Sequence, residues 1–178
     1  MRKKTKVLLG IILAAVVLCT VRGYLKQTVS KTEVGIGTYL AGTIYDDPVA
    51  IIKTAEKDGW YCAMYQRSQN GVVEDVTHVA IFKCLPFGRC RYEGMSGFRE
   101  PGVHRTGFWR KSGMECVVVA FGDNSDGTTQ AYAFQSGNEI YGVYDVAHDL
   151  VLDIYDAPGG EGFPEFLLND AALELLKS

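Results

Sequence analysis

Hydrophobic positions fall into four regimes along the chain. From Val7 to Val21 they run almost unbroken (VLLGIILAAVVLCTV), with Met1-Arg2-Lys3-Lys4-Thr5-Lys6 ahead and Arg22 behind. A basic start followed by an apolar run is the layout of an export signal or a membrane anchor. From Val49 to Ala55 the apolar residues Val49, Ile51, Ile52 and Ala55 stand at helical spacing. Asp47 suits the cap of such a helix, Pro48 its first turn and Gly59 its end. From Trp60 onward the period is two. The spacing predicts strands over 60–67, 76–84, 89–95, 114–121, 129–135, 139–146 and 150–155, separated by turns such as Gln69-Asn70-Gly71 and Pro86-Phe87-Gly88. The near-continuous apolar run Met114–Phe121 reads as a central strand. At the end Asn169 caps a helix whose Ala172, Leu173 and Leu176 share a face.

The resulting expectation is an α+β chain: a signal or anchor segment over 1–23, a tether over 24–42 and a domain over 43–178. That domain is an antiparallel meander of about seven strands, with one short helix before it and one after it. Thr38–Tyr45 reads as an additional first strand, and the glycine-rich stretch 94–113 as a long loop, which in a compact domain usually has a function.

The apolar run spans about 22 Å, short of a ~30 Å hydrocarbon core, which suits a signal peptide. Against cleavage, Ala-x-Ala is absent and only Val21-x-Gly23 offers small residues. Leu18 precedes Cys19 where a lipoprotein signal has a small residue. The expectation is therefore an uncleaved single-pass anchor with the C-terminal domain outside the cytoplasm, or a secreted protein if the segment is removed.

Composition sharpens this picture in one respect. The net charge of −3 hides a division: residues 1–31 carry seven cations and no anions, leaving −10 on the rest. That balance argues against nucleic acid as a partner. Lys83–Lys111 is the exception, with seven cations, two anions and five interleaved aromatics. Arg89, Arg91, Arg99, Arg105, Trp109 and Arg110 are the candidate binding residues, on a basic aromatic loop fit for an acidic protein, an anionic envelope polymer or lipid head groups. The bland alternative pairs these cations with the acidic stretch Glu139–Ser178.

Other chemistry is sparse. Asp145, His148 and Asp149 would suit Mn²⁺ or Zn²⁺ in a metal-assisted hydrolase if a turn gathered them, although a polar hairpin turn explains them equally. Gly122–Gly127 lacks the ligand spacing of a calcium loop. Walker, dinucleotide and nucleophile-elbow patterns are missing, so no cofactor is expected. Four cysteines follow the anchor. Cys84 and Cys90 flank one turn and are placed to bridge it; Cys62 and Cys116 form a second conceivable pair. The layout of basic anchor, tether, short helix and antiparallel strands resembles small exported or membrane-anchored bacterial proteins of unknown function. That resemblance brings no active-site residues with it. The function expected is a membrane-anchored interaction module, with the hydrolase or a structural envelope component as alternatives.

Overall fold

Successive residues of β3 (Trp60–Gln69) point to opposite sides, and both sides are buried. Trp60, Cys62 and Met64 enter one apolar cluster, while Tyr61, Ala63 and Tyr65 enter another. The sheet that holds this strand must therefore be covered on both faces, and the rest of the fold supplies the covers.

The structure, a computed structural model, describes residues 2–109, 116–136, 139–157 and 164–177. The chain begins with helix α1 (Arg2–Gln27), strand β1 (Val29–Ser30) and helix α2 (Glu33–Tyr39), which continues as a π-helical segment (Leu40–Tyr45). Next come β2 (Val49–Lys57), β3, β4 (Val72–Val73), β5 (Thr77–Leu85), β6 (Arg89–Phe98), β7 (Gly102–Trp109) and β8 (Cys116–Asp123). The chain ends with β9 (Ala131–Ser136), β10 (Glu139–Tyr144), β11 (Leu150–Ala157), β12 (Glu165–Leu168) and helix α3 (Asn169–Lys177). The class is α+β, mostly β, and every described pairing is antiparallel.

Three sheets stack face to face between two helices. The first has the order β1-β6-β5-β3-β2, with β4 attached to β3; the second is β11-β8-β7 and the third β10-β9-β12. Ile36 and Leu40 of the α2 segment press on the outer face of the first sheet, against Tyr65, Ala80 and Phe82. Its inner face packs through Met64, Val79 and Ile81 on Val117, Val119, Phe121, Leu152 and Ile154 of the second sheet. The alternate residues Cys116, Val118 and Ala120 meet Tyr132 and Phe134 of the third sheet. Ala131 and Ala133, on the far face of that sheet, receive α3 through Ala172 and its neighbouring leucines.

Several sequence expectations change. Residues 49–57 form a strand, not a helix. A β-bulge between Ile51 and Lys53 switches the faces, so Val49 and Ile51 contact the α2 layer while Ala55 contacts the second sheet. That switch is what imitated helical spacing. Conversely, 38–45 is helical rather than a strand, because Ile36, Leu40 and Ile44 recur every four residues on one face. Most of the expected tether is folded: Thr32 caps α2 by accepting a bond from Gly35 N at 3.1 Å. A Cβ on Gly35 would press on Ser30 O, so this close approach requires glycine. The expected loop 94–113 is largely the end of β6 and the whole of β7, joined by a turn at 99–101; residues 110–113 lie outside the described set.

Helix α1 is long and apolar enough to cross a membrane, through a window Gly10–Gln27 of mean hydropathy 1.4. It continues past the expected boundary at 23 to Gln27.

Candidate functional site

The basic residues singled out from the sequence do not converge. Arg89 turns toward the end of α1: its Nε donates to Thr28 Oγ1 at 2.6 Å, and its Nη2 donates to Leu25 O at 3.1 Å and to Thr28 O. It satisfies carbonyls that the last helical turn leaves without partners. Arg91 donates to Glu93 on its own strand, with Nε 2.8 Å from Oε1. Arg105 donates to Pro164 O. Trp109 ends β7 opposite Cys116, and Arg110 lies outside the described residues. Arg99, in the turn between β6 and β7, lines a polar cavity.

That cavity holds about 320 Å³ at the seam of the first and second sheets. Its floor is Phe121 and Gly122 of β8, both buried. Gly122 has φ +151, and a Cβ there would collide with Gly102 O across the β7–β8 pair. The wall is an aromatic plate: Phe98 stacks on His104 with centroids 4.4 Å apart and planes 3° apart, and Phe121 meets Phe98 at 5.7 Å. His104 Nε2 lies 2.8 Å from Glu100 O. A carbonyl only accepts, so Nε2 carries the hydrogen and donates it. Asp75, Glu100 and Asp123 join Arg99 at the exposed rim. The cleft thus sets three carboxylates against one guanidinium.

Of these residues, the sequence reading selected only Arg99 as a binding residue. Asp75, Phe98, His104 and Asp123 come together by the pairing of β5 with β6 and of β7 with β8, which lines up residues far apart in sequence. No local motif carries that arrangement.

The Asp145, His148 and Asp149 segment is a turn between β10 and β11. Asp149 Oδ1 accepts from Leu150 N at 2.7 Å and Asp149 O accepts from Asn124 N at 3.1 Å. Among the described residues no three His, Cys, Asp or Glu side chains are gathered in a geometry that would hold a metal ion.

A second cluster lies under the π-helical segment. Tyr45 and Tyr65 share a hydrogen bond of 2.7 Å, and the Tyr65 ring stacks on His78 at 5.2 Å. Arg67 lies over the Tyr45 ring and pairs with Glu74, which also approaches His78 Nε2 at 3.5 Å. Burial pushes the His78 pKa below its ordinary value, against the opposing pull of Glu74. Burial likewise raises the Tyr65 phenol, so it stays neutral. These contacts close the edge of the first core rather than open a site.

The described cysteines are free thiols. Cys62 and Cys116 occupy different layers, on opposite sides of the second sheet, and are not placed to pair. Cys84 and Cys90 are direct cross-strand partners. No protein-family model matches the chain, and no curated protein or solved structure matches it.

Proposed function

We propose that the chain is a membrane-anchored binding module displayed outside the cytoplasm, whose ligand is a small polar molecule bearing a positively charged amine. The observation that carries this reading is the seam cleft. Its volume suits a small ligand, its rim is net anionic, and its Phe98–His104 plate offers a π face to a cation. The anchor reading rests on the apolar helix α1 with its basic start. Arg89, Arg91 and Arg105 are bonded within the chain, so the cleft is proposed in preference to an acidic partner on the basic loop.

Titration calorimetry with a four-carbon diamine, and a dicarboxylate of the same length as control, tests the proposal. The diamine should bind, and Asp75→Asn with Glu100→Gln should weaken it about tenfold or more, roughly 1.4 kcal/mol. Preference for the dicarboxylate, or binding indifferent to the double substitution, would overturn it.

A second proposal concerns the compartment. Cys84 N donates to Gly59 O of the β2–β3 turn at 2.8 Å. In an antiparallel ladder a residue directs N–H and C=O to the same side, so Cys84 faces Cys90 as a non-hydrogen-bonded pair. Such pairs have Cα atoms about 4.5 Å apart, within disulfide range. In an oxidising compartment the two thiols pass two electrons and two protons to the disulfide of an exchange catalyst, which is reduced to a dithiol. Burial holds the Cys90 thiol up at about 11 and raises that of Cys84, so uncatalysed exchange is slow. Protein isolated from the cell envelope should resist alkylation at both positions until reduced; free alkylation of both would defeat the proposal.

A further inference from the structure

The tip of the β5–β6 hairpin carries a large aromatic side chain in open solvent. Phe87 is 93% exposed, at φ +61, between Pro86 and Gly88. The tip is fastened to the end of α1: Tyr24 Oη donates to Pro86 O at 2.8 Å, and Arg89, just past the tip, holds Leu25 O and the Thr28 carbonyl. Between hairpin and helix runs an apolar groove of about 570 Å³, lined by Thr20, Val21, Tyr24, Leu25, Pro86 and Phe87 with Arg89. Thr20 through Leu25 belong to the apolar window of α1 itself. Hairpin tip and groove therefore continue the surface of the helix, with Arg89 at the border of the groove.

Charge follows the same arrangement. Lys57, Trp60, Lys83 and Arg91 stand opposite one another in a single row across β2, β3, β5 and β6. The row lies four residues behind Phe87, about 13 Å at the rise of a strand. With Arg22, Lys26 and Arg89, the cations of this end outnumber Glu56, Asp58 and Glu93.

We propose that the β5–β6 tip is a second membrane contact, in which Phe87 enters the head-group boundary beside α1 and the groove receives a lipid acyl chain. Lys57 and Lys83, which lie over the Tyr155 and Trp60 rings, then stand at the depth of the phosphates, with Arg91 paired to Glu93 beside them. The inference rests on the reading of α1 as a membrane anchor. An aromatic ring suits that boundary, where amphipathic insertion reaches roughly 5–10 Å. The occupant is the bilayer that holds α1, because the groove is part of the surface of that helix.

The test uses the full chain in mixed phosphatidylcholine–phosphatidylglycerol vesicles, with lipids brominated near the glycerol end of the acyl chains. Phe87→Trp places a fluorophore at the tip, and the unsubstituted chain supplies the background of Trp60 and Trp109. Phe87 has almost no buried surface, so the replacement leaves the fold intact. Shallow bromines should quench about half or more of the added emission. Unquenched emission in protein that resists carbonate extraction overturns the tip contact while leaving the anchor standing. Extraction by carbonate overturns both. Emission shielded from bromine but blue-shifted would assign the tip to a protein neighbour and also overturns the proposal.

Discussion

Asn124 shows how a single polar side chain fixes a loop. It is fully buried. Its Nδ2 donates to Thr129 O at 2.9 Å and Ala147 O at 3.1 Å, and its Oδ1 accepts from Thr129 N at 2.8 Å. The loops after β8 and before β11 thereby share one residue. Asn124→Ala should cost about 2–3 kcal/mol, since it leaves buried backbone groups without partners; denaturant unfolding measures this. Gly122 makes a different demand, because any side chain meets the backbone of Gly102 and the local φ disfavours L residues. Gly122→Ala should destabilise by more than about 2 kcal/mol in the same measurement. His78 sets a pH response. An unfolded histidine titrates near about 6.5, and burial against Tyr65 holds the folded one lower although Glu74 opposes it. The unfolded chain takes the proton first, so stability falls as pH drops below about 6.5 and levels off below the folded pKa. His78→Gln should flatten that slope between about pH 7.5 and 5.

At the level of elements, the period-two runs were legible where aromatic and branched residues alternate strongly, even across the register shift of the β5–β6 pair at Glu93. Trp60–Arg67, Arg89–Met95 and Leu150–Tyr155 lie within observed strands, and the 76–84 run overlaps β5 from Thr77 on. The errors arose where geometry disguised the period. The bulge after Ile51 made a strand look helical. The glycines of Val34–Gly42 hid a helix whose Ile36 and Leu40 are wholly buried. Asn169 was expected to cap α3, but its side chain instead accepts from Gln130 N at 2.8 Å and donates to Thr128 O at 3.2 Å, tying that helix to the loop before β9. The cleft was illegible for a related reason: strand pairing, not sequence adjacency, assembles Asp75, Arg99 and His104. Deleting Ile52, the extra residue of the bulge, leaves Ile51 opposite Tyr65 and Lys53 opposite Met64, so Lys53–Lys57 keep their faces and the midpoint of thermal unfolding, read by circular dichroism, should shift by no more than about a few degrees.

The whole molecule is a stack in which each internal layer depends on the next. The outermost cover on one side is α2, which the sequence placed in a tether. A soluble chain beginning at Thr43, after that supposed tether, would expose Tyr65, Ala80 and Phe82 and should aggregate. A chain beginning at Thr28 keeps Ile36 and Leu40 in place and should be monodisperse by size-exclusion chromatography. Leu40→Ala in the longer chain should cost about 2–5 kcal/mol. The bond network of Arg89 and Tyr24 has a consequence for maturation as well. It joins the end of α1 to a hairpin that closes within the first sheet. A processing peptidase takes its substrate as an extended strand, yet residues 19–24 are helical and docked once the hairpin has formed. A peptidase acting on this segment would therefore race against folding, and a chain whose β5–β6 hairpin has already formed should keep its helix uncut.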